Sequence, residues 1–212
     1  MLQRVRDAGL KLKHKKCELF TQEMLYLGFR VNGEGVKPDP GKIKAVTEWP
    51  LRFTVTDVRS FLGFANYHRR FIKNFAKIAK PLQFLTNKGQ RFTWGPSQQL
   101  DFSTLKTLLT TCPMLNHPLP DIPFILDTDA SAFGLGGVLS QKVDGVERVT
   151  AYASNALSKS EMNYCTTHRK LLAVIRMTAK FRHYLWGRQF LLRTDHASLR
   201  WLLNYRDGML AR

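Results

Sequence analysis

Disulfides, zinc clusters and membrane spans find little to build on in this sequence. Its three cysteines, Cys17, Cys112 and Cys165, are odd in number and far apart. That excludes a disulfide framework and the close ligand spacing of a zinc site, and it fits a reducing compartment. No apolar run approaches the roughly 18 residues a spanning helix needs, and the first residues lack a signal peptide's apolar stretch. Acid is also scarce: 16 Asp/Glu stand against 33 Lys/Arg, a formal charge of +17. The expected setting is intracellular, cytoplasmic or nuclear, with no membrane partner. The oligomeric state is left open.

What is present is a globular composition, 44% hydrophobic and 23% charged, in a chain long enough for one large or two small domains. The basic surplus favours a polyanionic partner, because phosphate contacts supply most sequence-independent nucleic-acid affinity. Charge alone does not separate a nuclease from a ribosomal or chromatin protein.

Punctuation divides the chain. Residues 2–8 read as the end of a helix, and 24–31 as a strand followed by a turn at Asn32-Gly33-Glu34-Gly35. Asp39 and Pro40 supply an N-cap and first-turn proline for a helix that stops at Trp49-Pro50. Thr54 and Asp57 form a capping pair for the next helix, and Ser97 is the expected cap of another reaching about Thr111. Pro113, Pro118, Pro120 and Pro123 then forbid regular helix and mark a domain boundary.

Beyond it the pattern is that of a sheet. Phe124–Asp129 is an apolar strand closed by acid, and Asp144-Gly145 signals a hairpin between strands 133–143 and 146–154. A helix is expected over 167–184, with Gly187 beyond its end, then a strand 189–194 closed by Asp195 and a helix 197–204. Two aspartates at strand ends suit a metal-dependent nuclease, since rigid backbone fixes the carboxylates while leaving them open to solvent. Between them in sequence lies Lys170, on an expected inward stripe with Val174, Met177 and Phe181.

Several segments resemble the Pol polyproteins of gypsy-class LTR retrotransposons. Leu126-Asp127-Thr128-Asp129-Ala130-Ser131, Ala151-Tyr152-Ala153-Ser154, Phe181-Arg182-His183-Tyr184-Leu185 and Arg193-Thr194-Asp195-His196 are similar to the ribonuclease H domain. Tyr26-Leu27-Gly28, Val58-Arg59-Ser60-Phe61-Leu62-Gly63 and Tyr67-His68-Arg69-Arg70-Phe71-Ile72 resemble the reverse transcriptase from late palm through thumb. The resemblance runs through the chain in the family's order.

It implies an α/β (α+β) fold: a ribonuclease H-like mixed sheet flanked by helices, after a mostly helical thumb and connection with a small hairpin. The expected parts are the end of the palm with a primer-grip-like hairpin (1–37), thumb (38–88), connector (89–120) and ribonuclease H-like domain (121–212), a fragment short at both ends. It implies that Asp129 and Asp195 are catalytic carboxylates binding Mg²⁺, with an RNA–DNA hybrid or duplex as partner. Tyr26, Leu27, Gly28 and Phe29 resemble the primer grip, and Arg59, Arg69, Arg70, Lys73, Lys77 and Lys80 are the expected phosphate contacts. The aromatic residues among those cations, Phe61, Phe64, Tyr67, Phe71 and Phe75, read as helix core.

Two departures follow. The polymerase's Tyr-x-Asp-Asp motif does not occur, and Lys170 stands where the family carries a metal-binding glutamate. At an effective dielectric of 20, unit charges about 4 Å apart interact by about 4 kcal/mol, so an ammonium beside Mg²⁺ would be repelled by roughly 8. The expectation is a chain that binds nucleic acid and is catalytically inactive as it stands. A host-adopted, non-enzymatic interaction scaffold is the alternative. Asp127 shares the strand face of Asp129 by period two but matches no ligand position, and it is not assigned.

Overall fold

The computed structural model describes residues 2–13, 17, 21–49 and 54–199. After a short helix α1 (Leu2–Asp7), the chain makes an antiparallel meander of β1 (Glu23–Tyr26), β2 (Phe29–Asn32) and β3 (Gly35–Pro38). The expected single strand over 24–31 is therefore itself a hairpin. It reverses at Leu27 (φ 48°) and Gly28 (φ 71°), the paired left-handed geometry whose twist matches that of flanking strands. Leucine is a rare occupant of that position, so the turn carries no sequence signal. The second reversal is as expected, with the Asn32 Oδ1 accepting from the N–H groups of Glu34 and Gly35, each at 3.0 Å.

Four helices follow: α2 (Pro40–Thr47), α3 (Val55–Tyr67), α4 (Phe75–Leu85) and α5 (Pro96–Thr110), with a 3₁₀ turn at Arg69–Phe71. Asp39 caps α2, and Thr54 and Asp57 cap α3 reciprocally, as their residue types require. The cap of α5 lies two residues earlier than expected. Pro96 takes the first helical position, where its missing N–H costs nothing, and the Gln98 amide oxygen accepts from the Gly95 N–H at 3.2 Å. Phe61, Phe75, Leu82, Phe102 and Leu105 form the core of these helices; of the aromatic residues between the cations, Phe61, Phe71 and Phe75 pack inward, Phe64 packs partly, and Tyr67 is exposed.

The proline-rich passage carries no helix but holds a short strand, β4 (Leu115–Asn116), which pairs with β3. The second sheet comprises β5 (Phe124–Ala130), β6 (Gly134–Val143), β7 (Val146–Ala156) and β8 (Phe190–Thr194), in the order β7-β6-β5-β8. Only β8 runs parallel to its neighbour, so the sheet is mixed. A parallel partner needs a crossover, and α6 (Thr166–Lys180) with α7 (Arg182–Leu185) provides it. The expected single helix over 167–184 is broken at Phe181 (φ −92°, ψ 10°), whose ring is buried in the core. Gly187, at φ 71°, follows its end as expected. The buried stripe of α6 is Lys170, Ala173 and Met177, with Ala173 in the place expected of Val174. Beyond Leu199, the helix expected to reach Asn204 lies outside the described residues.

Two adjacent glycines let the layers close. A Cβ on Gly137 would stand 2.7 Å from the Met177 side chain on α6, and one on Gly136 would collide with the Asn74 Oδ1 from the opposite face. Asn74 itself holds a left-handed conformation just before α4 (φ 57°). The helical part is also tied to the sheet directly: the Ala76 N–H donates to the Ser154 Oγ at 3.0 Å, in a buried setting.

Candidate carboxylate–lysine site and nucleic-acid interface

Parallel pairing of β5 and β8 places Asp129 and Asp195 at the same end of two neighbouring strands. Lys170, in the second turn of α6, reaches between them. Its Nζ donates to the Asp129 Oδ1 at 2.8 Å and to both carboxylate oxygens of Asp195 at 2.6 Å. The lysine side chain is 8% exposed, the two aspartates 59% and 68%. Burial works against the ammonium's charge, but the hydrogen bonds and charges of the two aspartates outweigh it and hold the Lys170 pKa above the ordinary lysine value. The same ammonium, through its hydrogen bond, holds the Asp195 pKa below the usual carboxylate range. A neighbouring bond from Thr167 Oγ1 to His196 Nε2, 2.9 Å, fastens the start of α6 to the residue after Asp195.

The expected juxtaposition of the two carboxylates is therefore present, and so is the inward placement of Lys170. The side chain does not swing away. A divalent cation does not fit this arrangement, because the space between the carboxylates is taken by a group of like sign. Among the described residues there is no cluster of three or more His, Cys, Asp or Glu able to hold a metal ion.

The site opens on a groove of about 590 Å³ with Lys73 and Asn74 on one wall and Asp127, Asp129, Arg193 and Asp195 on the other. Asp127, unassigned from sequence, is engaged here. It takes two hydrogen bonds of 2.6 Å from the Arg193 guanidinium, which also reaches Glu147 at 2.8 Å. Hydrogen bonds from Arg193 and then Ser140 hold Glu147 below its ordinary value. Period two could have placed Asp127 on this face; the arrival of Glu147 from β7 has no local sequence signal.

The expected nucleic-acid contacts divide into three groups. Lys73 and Lys77 are exposed and, among the described residues, have no acceptor, with Lys77 beside Asp129 and Ser131 in a smaller recess. Arg69 and Arg70 are half-buried; Arg69 donates to the Asn66 Oδ1 at 3.2 Å, and Arg70 lies 5.9 Å from the Phe71 ring centroid. Arg59, which is exposed, and Lys80, which is half-buried, each have a partner within the protein. The Arg59 guanidinium donates to the Thr86 carbonyl at the end of α4, 2.9 Å, and Lys80 sits 4.5 Å above the Phe133 ring with its Nζ 3.2 Å from the Met162 Sδ. In the hairpin, Tyr26 and Leu27 are exposed, while Phe29 stacks on Tyr67 at 5.1 Å and the Tyr67 hydroxyl donates to the Leu27 carbonyl.

Comparison with known proteins agrees with this geometry. Residues 94–192 match the RNase H-like domain found in reverse transcriptase. The chain is 40% identical over 202 residues to the retrovirus-related Pol polyprotein from transposon 297 of Drosophila melanogaster, covering 95% of this chain and 19% of that protein. It is 37% identical over 207 residues to the corresponding protein of transposon gypsy, covering 91% and 20%. The Tf2-3 polyprotein of Schizosaccharomyces pombe is 32% identical over 202 residues, covering 94% and 15%. The chain thus spans about a fifth or less of these relatives' length. Among solved structures, a foamy viral protease-reverse transcriptase in complex with RNA/DNA hybrid superposes with a TM-score of 0.73 at 22% identity, covering 89% of this chain and 26% of that one. A form of it in complex with double-stranded DNA gives 0.76 at 21%, covering 96% and 36%. At those identities the likeness bears on the fold, which is RNase H-like. The chain carries an RNase H-like domain of the kind found in reverse transcriptase and is similar along nearly its whole length to retrovirus-related Pol polyproteins of transposons, gypsy among them.

Proposed function

We propose that this chain is a nucleic-acid-binding segment of a Pol polyprotein that grips an RNA–DNA hybrid or duplex without cleaving it. The observation that carries the reading is the Lys170 ammonium bonded to both Asp129 and Asp195. Hydrolysis of a phosphodiester at paired carboxylates depends on divalent ions that activate water and stabilise the leaving oxygen, and here a lysine lies where such an ion would bridge them. Support for binding comes from the charge of +17, from Lys73 and Lys77 at the groove edge, and from the foamy viral neighbours, whose structures are complexes with RNA/DNA hybrid and double-stranded DNA. Arg69 and Arg70 belong to the same proposed basic face, and the exposed tip at Tyr26–Leu27 to its hairpin edge.

The test is binding of a labelled hybrid duplex at increasing salt, together with a Mg²⁺ cleavage assay. Binding should weaken steeply with salt, and Lys73→Ala or Lys77→Ala should each lower the log–log slope by about 1. The hybrid should stay intact at the level of an Asp129→Asn control. Cleavage that depends on Asp129 would overturn the non-hydrolytic reading. Absence of salt-sensitive binding would instead favour an interaction scaffold.

A further inference from the structure

We infer that the Lys170 ammonium is the resident cation of this site: it holds the Asp129–Asp195 pair together in place of a divalent ion, and it keeps such ions out. The inference deepens the non-hydrolytic reading above and rests on it. The Lys170 Nζ lies within 2.6–2.8 Å of three carboxylate oxygens, one of Asp129 and both of Asp195, so its ammonium donates to both acids at once. These lengths are those of charge-assisted hydrogen bonds, so the contact is bonding and not a chance approach.

The lysine is also the most buried of the three partners. It continues the buried stripe of Ala173 and Met177 on α6, so its methylene stem is packed while the two acids face solvent. Swinging the ammonium out would empty that packing and leave two carboxylates facing each other without a counter-charge. A divalent ion entering from the groove must do this first. The acids' exposure matters in the other direction. They keep much of their hydration, so the cluster avoids the desolvation that makes fully buried ion pairs costly. The lysine therefore joins three elements, the ends of β5 and β8 and the second turn of α6, as a metal would.

The experiment uses the full chain, with Mn²⁺ as the probe. Free Mn²⁺ is followed by its electron paramagnetic resonance signal, and the thermal midpoint is recorded with and without the ion. The wild-type chain should take up no more Mn²⁺ than the Asp129→Asn/Asp195→Asn double variant, and its midpoint should not respond. Lys170→Met should lower the metal-free midpoint by several degrees. Lys170→Glu should gain Mn²⁺ binding and recover its midpoint as the ion is added. Wild-type uptake that vanishes in the double variant would overturn the inference, as would an unchanged midpoint for Lys170→Met. Failure of a folded Lys170→Glu to bind Mn²⁺ would mean that position 170 does not occupy a cation's place. Because wild-type uptake is compared with the double variant and does not involve Lys170→Met, the inference is testable even where Lys170→Met does not fold. Duplex binding is not among these readouts, so failure of the nucleic-acid reading is recognised separately.

Discussion

Asp127 and Arg193 stand directly opposite each other in the parallel register of β5 and β8, and two hydrogen bonds of 2.6 Å join them across the strands. The same guanidinium reaches Glu147 on β7, so one arginine bridges the groove floor. Arg193→Ala should cost about 1 kcal/mol, since the network is partly exposed and solvent screens it. Glu147 is held below its ordinary value of 4.5 by Arg193 and Ser140. Its contribution is therefore present above that value and is lost as pH falls through the lower folded value. Denaturant midpoints measured through the acid range should fall less steeply in Arg193→Ala than in the wild-type chain.

His68 gives a second pH dependence. It is 2% exposed, stacks among Phe29, Phe64 and Tyr67, and donates from Nδ1 to the Phe64 carbonyl at 3.1 Å. Burial is the larger influence and lowers its pKa from 6.5, against the raising effect of that hydrogen bond. The unfolded chain then binds the proton before the folded one does. Stability should be complete above about pH 6.5 and decline below it until the folded value is passed. Urea unfolding at mildly acidic and mildly alkaline pH checks this, and His68→Asn should show a smaller difference between them.

Gly137→Ala tests the closure of α6 onto the sheet. The added methyl would meet the Met177 side chain at 2.7 Å, and overpacking of this kind costs about 1–3 kcal/mol. Met177→Ala in the same chain should relieve part of that loss, which a double-mutant cycle in urea would reveal.

Leu27 holds φ 48° in a two-residue turn. Leu27→Asn should raise stability by about 0.4–1 kcal/mol, because asparagine accepts that conformation with less strain. Its effect on duplex affinity is a separate readout. A more stable chain that binds more weakly would show that the exposed leucine contributes to the proposed grip.

Much of the fold was legible where local chemistry decides it. The Thr54–Asp57 cap, the Asp144-Gly145 hairpin and the acid-closed strands each depend on neighbours within a few residues, and each is present. The misses arise where tertiary forces override local signals. Leu27 is held in a turn by the Tyr67 hydroxyl 40 residues away, and Phe181 breaks its helix while burying its ring. Within the site, the family resemblance and the helix stripe placed Lys170 near the two aspartates, and charge argued that metal and ammonium exclude one another. That the ammonium would bond all three facing oxygens depends on a parallel strand register that no short segment encodes. Arg59 and Lys80 show the same limit from the other side: that a basic helix's cations also meet a carbonyl and an aromatic ring within the protein has no local sequence signal.

The lysine between the aspartates also weakens the negative field that an approaching strand meets. Two bare carboxylates at the mouth of a groove repel a phosphate backbone, and a site of that kind depends on dissolved ions to neutralise it. With Lys170 in place the pair carries one net negative charge instead of two, whatever the ionic composition of the surroundings. Lys73 and Lys77 then act on a polyanion with less opposition from the groove floor. On the proposed reading, a lysine at this position makes the groove more hospitable to a nucleic-acid backbone than two bare carboxylates would be.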